Sequence, residues 1–133
     1  MINKKEVIVF SKSVAPGEKG TVAERIKADA TVQEVTAKFY FGQERALKVN
    51  PYIHKTRNRI EQLLTYPEGT DPFIAGDDDY FKYDTAVEVS NDDFVKVDFE
   101  NTSVDNAYDL VVTVTVDYLG GKQRAWWYYA KQH

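Results

Sequence analysis

The segment from Tyr108 to Tyr118 reads YDLVVTVTVDY and alternates between two kinds of residue along its whole length. Its even-numbered positions are aromatic or aliphatic, and its odd-numbered positions are mainly aspartate and threonine. Successive side chains of a β-strand point to opposite faces, and β-branched residues suit a pleated surface. The pattern therefore predicts a long strand with one face in a core, for which the rest of the chain must supply partners.

Similar but shorter alternations recur along the chain, separated by turn signals. They predict strands over 7–10, 35–41, 47–53, 80–89, 94–99 and 123–130, with a hairpin at 119–122, whereas 60–66 is ambiguous between a helical turn and a strand. Many short strands without a convincing helix indicate an all-β fold. We expect an antiparallel β-sandwich, jelly-roll-like, of about eight to ten strands.

The length of 133 residues predicts a single domain over 1–133, with residues 1–20 as a candidate mobile N-terminal arm. The apolar positions of the two strongest strand patterns are the expected core. They are Val35, Phe39, Phe41, Leu110, Val112, Val114 and Val116.

Composition excludes several classes of protein. The chain has no cysteine, hence no disulfide framework and no thiolate site. No apolar run approaches the roughly 20 residues that a spanning helix needs, and the apolar stretch at 7–10 is too short for a signal peptide core. We expect no membrane partner and no secretory signal, and a chain that is made and kept in the cytoplasm or released by lysis.

Charge is distributed unevenly along the chain. Residues 1–70 hold 12 Lys/Arg against 8 Asp/Glu, residues 71–105 hold 2 against 11, and residues 106–133 hold 3 against 2. An acidic band of this kind argues against a nucleic-acid partner, which would need a basic patch. It leaves open a cation site, a surface that selects a protein partner, or a set of turns that keep the protein soluble.

One carboxylate cluster, formed by Asp77, Asp78, Asp79 and Asp84, is tight enough to consider as a metal site. Oxygen-rich loops can bind calcium, but Phe81 occupies the third acidic position of an EF-hand pattern and no glycine follows it. Adjacent aspartates in a turn more often accept hydrogen bonds from nearby backbone N–H groups. We therefore predict no high-affinity calcium site, no other metal and no cofactor.

The aromatic run Trp126, Trp127, Tyr128 and Tyr129 is the strongest candidate for a functional surface. In a strand, Trp126 and Tyr128 share one face, and Trp127 and Tyr129 share the other. A single core needs only one pair, so the other pair is predicted to form a protein interface. Two alternatives remain open, namely that both faces are covered within the fold, or that the exposed rings stack on sugars.

Catalysis is not indicated by the chemistry of the side chains. The chain has two histidines, His54 and His133, and its serines stand in no nucleophile-elbow context. His54, Lys55, Arg57 and Arg59 form a basic loop that could meet the acidic band. We expect a protein that is not an enzyme.

Three segments carry a resemblance to a family. At PYI (51–53), FIAGDDDYF (73–81) and the run from 94 to 121, the chain resembles small proteins encoded by bacteriophages and prophages of Gram-positive bacteria. The resemblance implies a β-sandwich virion component or accessory protein that works by assembly and not by catalysis, as a homo-oligomer with other virion proteins. It also implies a location in a virion or in the host cytoplasm. The alternative function is a carbohydrate-binding module that uses the C-terminal aromatic residues and a calcium-binding acidic loop.

Overall fold

The structure is a computed structural model that describes residues 4–66 and 68–118. The described residues contain eight strands and a 3-10 turn at Thr56–Asn58. The strands are β1 Lys4–Val14, β2 Lys19–Arg25, β3 Ala30–Phe39, β4 Leu47–Lys55, β5 Arg59–Gln62, β6 Asp79–Val89, β7 Phe94–Asn101 and β8 Tyr108–Tyr118. The predicted hairpin at 119–122 and strand at 123–130 lie outside the described residues.

The eight strands form two sheets of four, and all their pairings are antiparallel. The strand order is β1-β8-β3-β6 in the first sheet and β2-β7-β4-β5 in the second. Two four-stranded antiparallel sheets with these strand orders form an eight-stranded jelly roll. The predicted all-β antiparallel sandwich is thus confirmed. No helix within the described residues is long and apolar enough to span a membrane.

The core lies between the two sheets and is built mainly from valine, isoleucine, leucine and phenylalanine. The inner face of β8 is buried from Leu110 to Val116, as its alternation predicts. Burial of each such side chain stabilises the fold by about 1.5–3 kcal/mol relative to exposure. Six of the seven predicted core residues are confirmed by their burial, namely Val35, Phe39, Leu110, Val112, Val114 and Val116.

A β-bulge in β3 changes which residues face the core. Before it, Ala30 and Val32 are buried, and after it the buried set moves to Val35, Ala37 and Phe39. The register shifts between Val32 and Glu34 against both β6 and β8, so that one residue of β3 has no partner on β8. Because the side-chain period of a strand is two, one additional residue reverses the inward positions.

Phe41 was predicted to lie in the core, and this prediction is wrong, because its side chain is 85% exposed. The strand ends at Phe39, and Tyr40 already belongs to a turn in which the backbone N–H of Gln43 donates to the Tyr40 carbonyl. Gly42 follows with φ of +94°, a left-handed conformation that glycine adopts readily. Phe41 is therefore displayed at the tip of a turn.

The expectation of a mobile arm over residues 1–20 is corrected for Lys4–Val14. These residues form β1, which pairs with β8 over its full length from Lys4–Tyr118 to Val14–Tyr108. Ile8, Phe10 and Val14 are buried in the core. Alternating apolar side chains on β1 complete the inner face of the first sheet, and this burial anchors the segment.

We predict that Val112→Asp unfolds the domain. Val112 is buried between Phe10 of β1 and Ala37 of β3, so the substitution places an unpaired charge in the core. We expect a loss of about 3–5 kcal/mol or more in the free energy of unfolding, measured by urea denaturation. Val111→Asp on the outer face of the same strand is the control and should cost about 1 kcal/mol. Equal losses in the two variants would contradict the assigned faces.

Candidate interaction surface

One end of the sandwich is formed by connections that are hydrogen-bonded to one another. The buried side chain of Asn101 donates through Nδ2 to the carbonyls of Ala15 at 3.2 Å and Asn106 at 2.8 Å. The backbone N–H of Thr102 donates to the carbonyl of Ala46 at 2.8 Å. These bonds join the β1–β2, β3–β4 and β7–β8 connections into one surface.

The β3–β4 connection within this surface is held on several sides. Gln43 is buried, accepts a hydrogen bond from the backbone N–H of Tyr40 at 3.0 Å, and donates to the carbonyl of Asp109 at 3.1 Å. The N–H of Gly42 donates to Asp77 Oδ1 at 2.7 Å, and the Tyr108 hydroxyl donates to the Gly42 carbonyl at 3.2 Å. The turn is therefore fixed by hydrogen bonds from both its flanks.

Large apolar side chains project from this fixed framework. Phe41 and Val104 are 85% and 87% exposed at the tips of their connections, and Tyr80 is 61% exposed at the start of β6. Tyr40 is also exposed, and Lys38, which lies opposite Tyr80 in the β3–β6 register, places Nζ 5.5 Å from the Tyr40 ring centroid. We call Tyr40, Phe41, Tyr80 and Val104 the end surface.

The acidic turn at the β6 end of this region uses its carboxylates to hold the backbone. Asp77 Oδ1 accepts from Gly42, and Asp79 Oδ2 accepts from the backbone N–H of Asp77 at 2.8 Å. Asp78 has φ of +55°, and Asp84 lies farther along β6, opposite Glu34. Among the described residues, no group of three His, Cys, Asp or Glu side chains is arranged to hold a metal ion.

The basic loop meets the acidic band within the same chain. Lys55 Nζ lies 3.7 Å from both Glu61 and the buried Asp93, and donates to the carbonyl of Glu88 at 2.6 Å. Two further ion pairs connect the basic first half to the band, Arg25–Asp92 at 2.9 Å and Lys48–Asp71 at 3.8 Å. Part of the band's charge is therefore neutralised internally.

Three residues of the basic loop, Lys55, Arg57 and Arg59, line an open cleft of about 410 Å³. Arg57 and Arg59 line it without an ion pair among the described residues, and Arg57 has φ of +68°. His54 lies outside this cleft, on the outer face of the second sheet, between Lys96 Nζ at 2.7 Å and Asn58 Oδ1 at 3.3 Å. The basic loop predicted from the sequence is thus divided in the fold between this cleft and the outer face of the second sheet.

A hydrogen-bonded group on the outer face of the second sheet raises the pKa of a tyrosine. Asp98 Oδ1 accepts hydrogen bonds from the hydroxyls of Tyr52 at 3.0 Å and Thr21 at 2.6 Å. Burial of Tyr52, together with the carboxylate of Asp98, raises its pKa to about 12. In the first sheet, burial and the hydrogen bond to Glu6 raise the pKa of Tyr118 to about 12 as well.

A second cleft, of about 310 Å³, opens beside β6. Its aromatic lining consists of Tyr66, Phe73, Phe81 and Tyr83, with Arg45 at its margin. The Tyr66 hydroxyl donates to Asn50 Oδ1 at 2.7 Å, and burial raises the pKa values of both Tyr66 and Tyr83. Phe81 packs edge-on against Phe39 and stacks on Tyr83, so these rings continue the core outward.

The predicted interface residues Trp126, Trp127, Tyr128 and Tyr129 lie outside the described residues and stay a prediction. The end surface was missed by sequence reasoning, because Phe41 follows an alternating strand in phase and was assigned to the core. The turn signal was present in Gly42 and Gln43, but the buried contact of Gln43 with Asp109 is visible only in three dimensions.

Comparisons with known proteins give similarity in structure only. No protein-family model and no curated protein sequence matches the chain. The chain is similar to chains in structures of infectious bursal disease virus, strain Gx (TM-score 0.43, 9% identity, covering 91% of this chain and 34% of that one) and strain Gt (0.43, 10%, 90% and 32%). It spans about a third of the length of these viral chains.

We predict that the protein loses stability between pH 10 and pH 12. An unfolded tyrosine ionises near pH 10, whereas folded Tyr52 and Tyr118 keep their protons to about pH 12. Only the unfolded state releases these protons as the pH rises through 10, so the free energy of unfolding falls until pH 12. Urea denaturation at pH 8 and pH 11 should show a loss on the order of 1 kcal/mol per tyrosine.

The matched control for this pH effect is Tyr52→Phe, which removes the hydroxyl and its share of the loss. Wild type should therefore lose more stability between pH 8 and pH 11 than Tyr52→Phe does. The same loss in both proteins would mean that Tyr52 does not hold its proton more tightly in the folded state.

Proposed function

We propose that this chain is a non-catalytic structural or accessory protein of a bacteriophage or prophage particle, which acts by binding other protein subunits. The observation that supports this most is the end surface, where apolar side chains are exposed on a hydrogen-bonded framework. Exposed apolar patches commonly mark protein-protein contacts, and aromatic residues supply much of the energy at such contacts.

The rigid framework supports the proposal that the exposed apolar side chains of the end surface bind a partner. Phe41 follows a tyrosine whose backbone is bonded to Gln43 and precedes a glycine bonded to Asp77. A preformed loop loses little conformational entropy when a partner covers it, which leaves more of the contact energy for affinity. The end surface is therefore suited to a contact with another protein subunit.

The jelly-roll fold is compatible with this role. Jelly rolls occur in viral capsid domains, in lectins and in cupins, so a function has to be argued from a site. The resemblance of segments 51–53, 73–81 and 94–121 to phage-encoded proteins supports a particle component among these uses. Partners would be other copies of this chain and other virion proteins.

The carbohydrate-binding alternative has less support among the described residues. It combines the C-terminal aromatic run with a calcium-binding acidic loop, yet Asp77 and Asp79 already accept backbone hydrogen bonds. In the aromatic cleft beside β6, Phe81 packs on Phe39 and stacks on Tyr83, so these two rings are engaged within the fold and do not form a flat exposed platform. We therefore propose assembly in preference to sugar binding.

We predict that the chain is present in purified particles of the phage or prophage that encodes it. Quantitative mass spectrometry of gradient-purified particles should find a constant number of copies per particle, because a structural subunit occupies defined positions. A chain that is abundant in the lysate but absent from the purified particles would contradict the proposed function.

We predict that Phe41→Ser combined with Tyr80→Ser weakens subunit association by about tenfold or more, since both side chains are large and exposed. Copy number in particles and molar mass by light scattering are the measurements. The control is Ile60→Ser, which removes a comparably exposed apolar side chain from β5 in the other sheet. Unchanged association in the double variant, or an equal effect of the control, would exclude the end surface.

A further inference from the structure

The outer edge of β1 differs from the other sheet edges in the described part of the chain. β1 has eleven residues, contains no proline, and pairs with β8 without a register shift. By contrast, β6 lies opposite a bulge, β2 has seven residues and β5 has four. Proteins usually protect an edge strand by making it short, bulged or charged. β1 is long and has no bulge, and its charges are of both signs, with Glu6 and Lys12 on its inward side.

Exposed apolar side chains accompany this open edge. Val7 and Val9 on the outer face of β1 are 55% and 60% exposed. Within the described residues no strand pairs with the edge of β1 that faces away from β8. Alternate residues of an edge strand direct their N–H and C=O groups away from the sheet, where another strand can bond to them.

We propose that β1 pairs antiparallel with β1 of a second copy of the chain, about a two-fold axis at Val9. Val9 is the midpoint of Lys4–Val14, so this register alone pairs all eleven residues. It places Ile8 opposite Phe10 of the second copy and keeps both buried faces on the same side of a continuous eight-stranded sheet.

Charge complementarity selects the same register. With Val9 opposite Val9, Glu6 lies opposite Lys12 of the second copy, and the symmetry repeats this pair on the other side. Lys5 lies opposite Ser13, so no like charges face each other. Moving the axis to Ile8 would place Lys4 opposite Lys12, and moving it to Phe10 would leave Glu6 opposite Val14. The register that pairs all eleven residues of β1 is therefore also the register that pairs opposite charges.

Glu6 and Lys12 are available for these contacts. Both side chains are half-buried on the inward side of β1, where Glu6 accepts from the Tyr118 hydroxyl at 2.6 Å and Lys12 lies 3.2 Å from Glu18. A carboxylate has lone pairs for more than one donor, and an ammonium group carries three protons. Each can add a cross-strand partner without losing its present one.

This inference rests on the proposed function, because it specifies a second copy as one partner of the assembly. The test uses Glu6→Lys and Lys12→Glu, each alone and then mixed in equal amounts. Each variant alone faces like charges at both pairs, and we expect its dimer to dissociate about tenfold more readily than wild type. In the mixture, a heterodimer places the two lysines of one variant opposite the two glutamates of the other, so dimerisation should recover.

Sedimentation velocity and native mass spectrometry at low salt measure these dimers and separate the heterodimer by mass. Lys5→Glu is the matched control on the same strand, because its partner is Ser13, and it should dimerise like wild type. Recovery on mixing also separates association from folding, since mixing cannot repair an unfolded chain. Thermal melts of the single variants should show folded proteins.

The possible results distinguish this register from the general proposal of assembly. A wild-type dimer that persists in both single variants, or a mixture that does not recover, would overturn the β1 register and leave assembly through the end surface intact. A monomeric wild type would overturn the β1 contact. Sensitivity to Lys5→Glu equal to that of Glu6→Lys would also overturn it.

Discussion

The pairing of β8 with both β1 and β3 is the interaction on which the rest of the sandwich depends. β8 is the inner strand that joins the first described strand to the middle of the chain, with Tyr118 opposite Lys4 on one side and Ala30 on the other. Its buried valines form the floor of the core, and its two occupied edges fix the register of both neighbours. These contacts join residues that lie far apart in the sequence, so long loops close when β8 pairs with β1 and β3.

The inner position of β8 also determines which strands and loops are exposed at the surface. Because β8 occupies an inner position, β1 becomes an edge strand, and the connection before β8 is drawn to the same end as the β3–β4 turn. One end of the sandwich then displays apolar side chains on hydrogen-bonded loops, and one side displays the edge of β1, with which no other described strand pairs. The two surfaces are distinct, so the proposed assembly has two separate surfaces to use.

The alternation along 108–118 was sufficient to predict which face of β8 is buried, because a long strand in a two-layered fold has little choice of face. The same rule failed where a local contact interrupted it. Phe41 continues the phase of β3, but the buried amide of Gln43 ends the strand two residues earlier. The bulge at Gln33 shifted the inward positions, and its sign in the sequence is the adjacent polar pair Gln33 and Glu34, after which the apolar positions change from even to odd numbers. The predicted strand began only at residue 35, so this change of phase lay outside it.

Prediction was weakest for β1 and for the basic loop. Only Ile8, Phe10 and Val14 of β1 are buried, and charged residues surround them, so the segment resembled an arm until its pairing with β8 was seen. The acidic band suggested contact with another subunit, yet Lys55 reaches Asp93 and Glu88 within the chain. Such contacts join residues about 35 positions apart, and their partners are chosen by the topology of the strands.

The central claim is that β1 is an integral strand of the first sheet whose outer edge is completed by a second copy. Residue-resolved amide hydrogen exchange of Lys4–Val14, measured by NMR at low and at high protein concentration, tests it most directly. In dilute solution, the amides bonded to β8 should be protected and those between them should exchange fast. At high concentration the second set should become protected as well. Fast exchange along all of β1, or an alternating pattern that does not change with concentration, would contradict the claim.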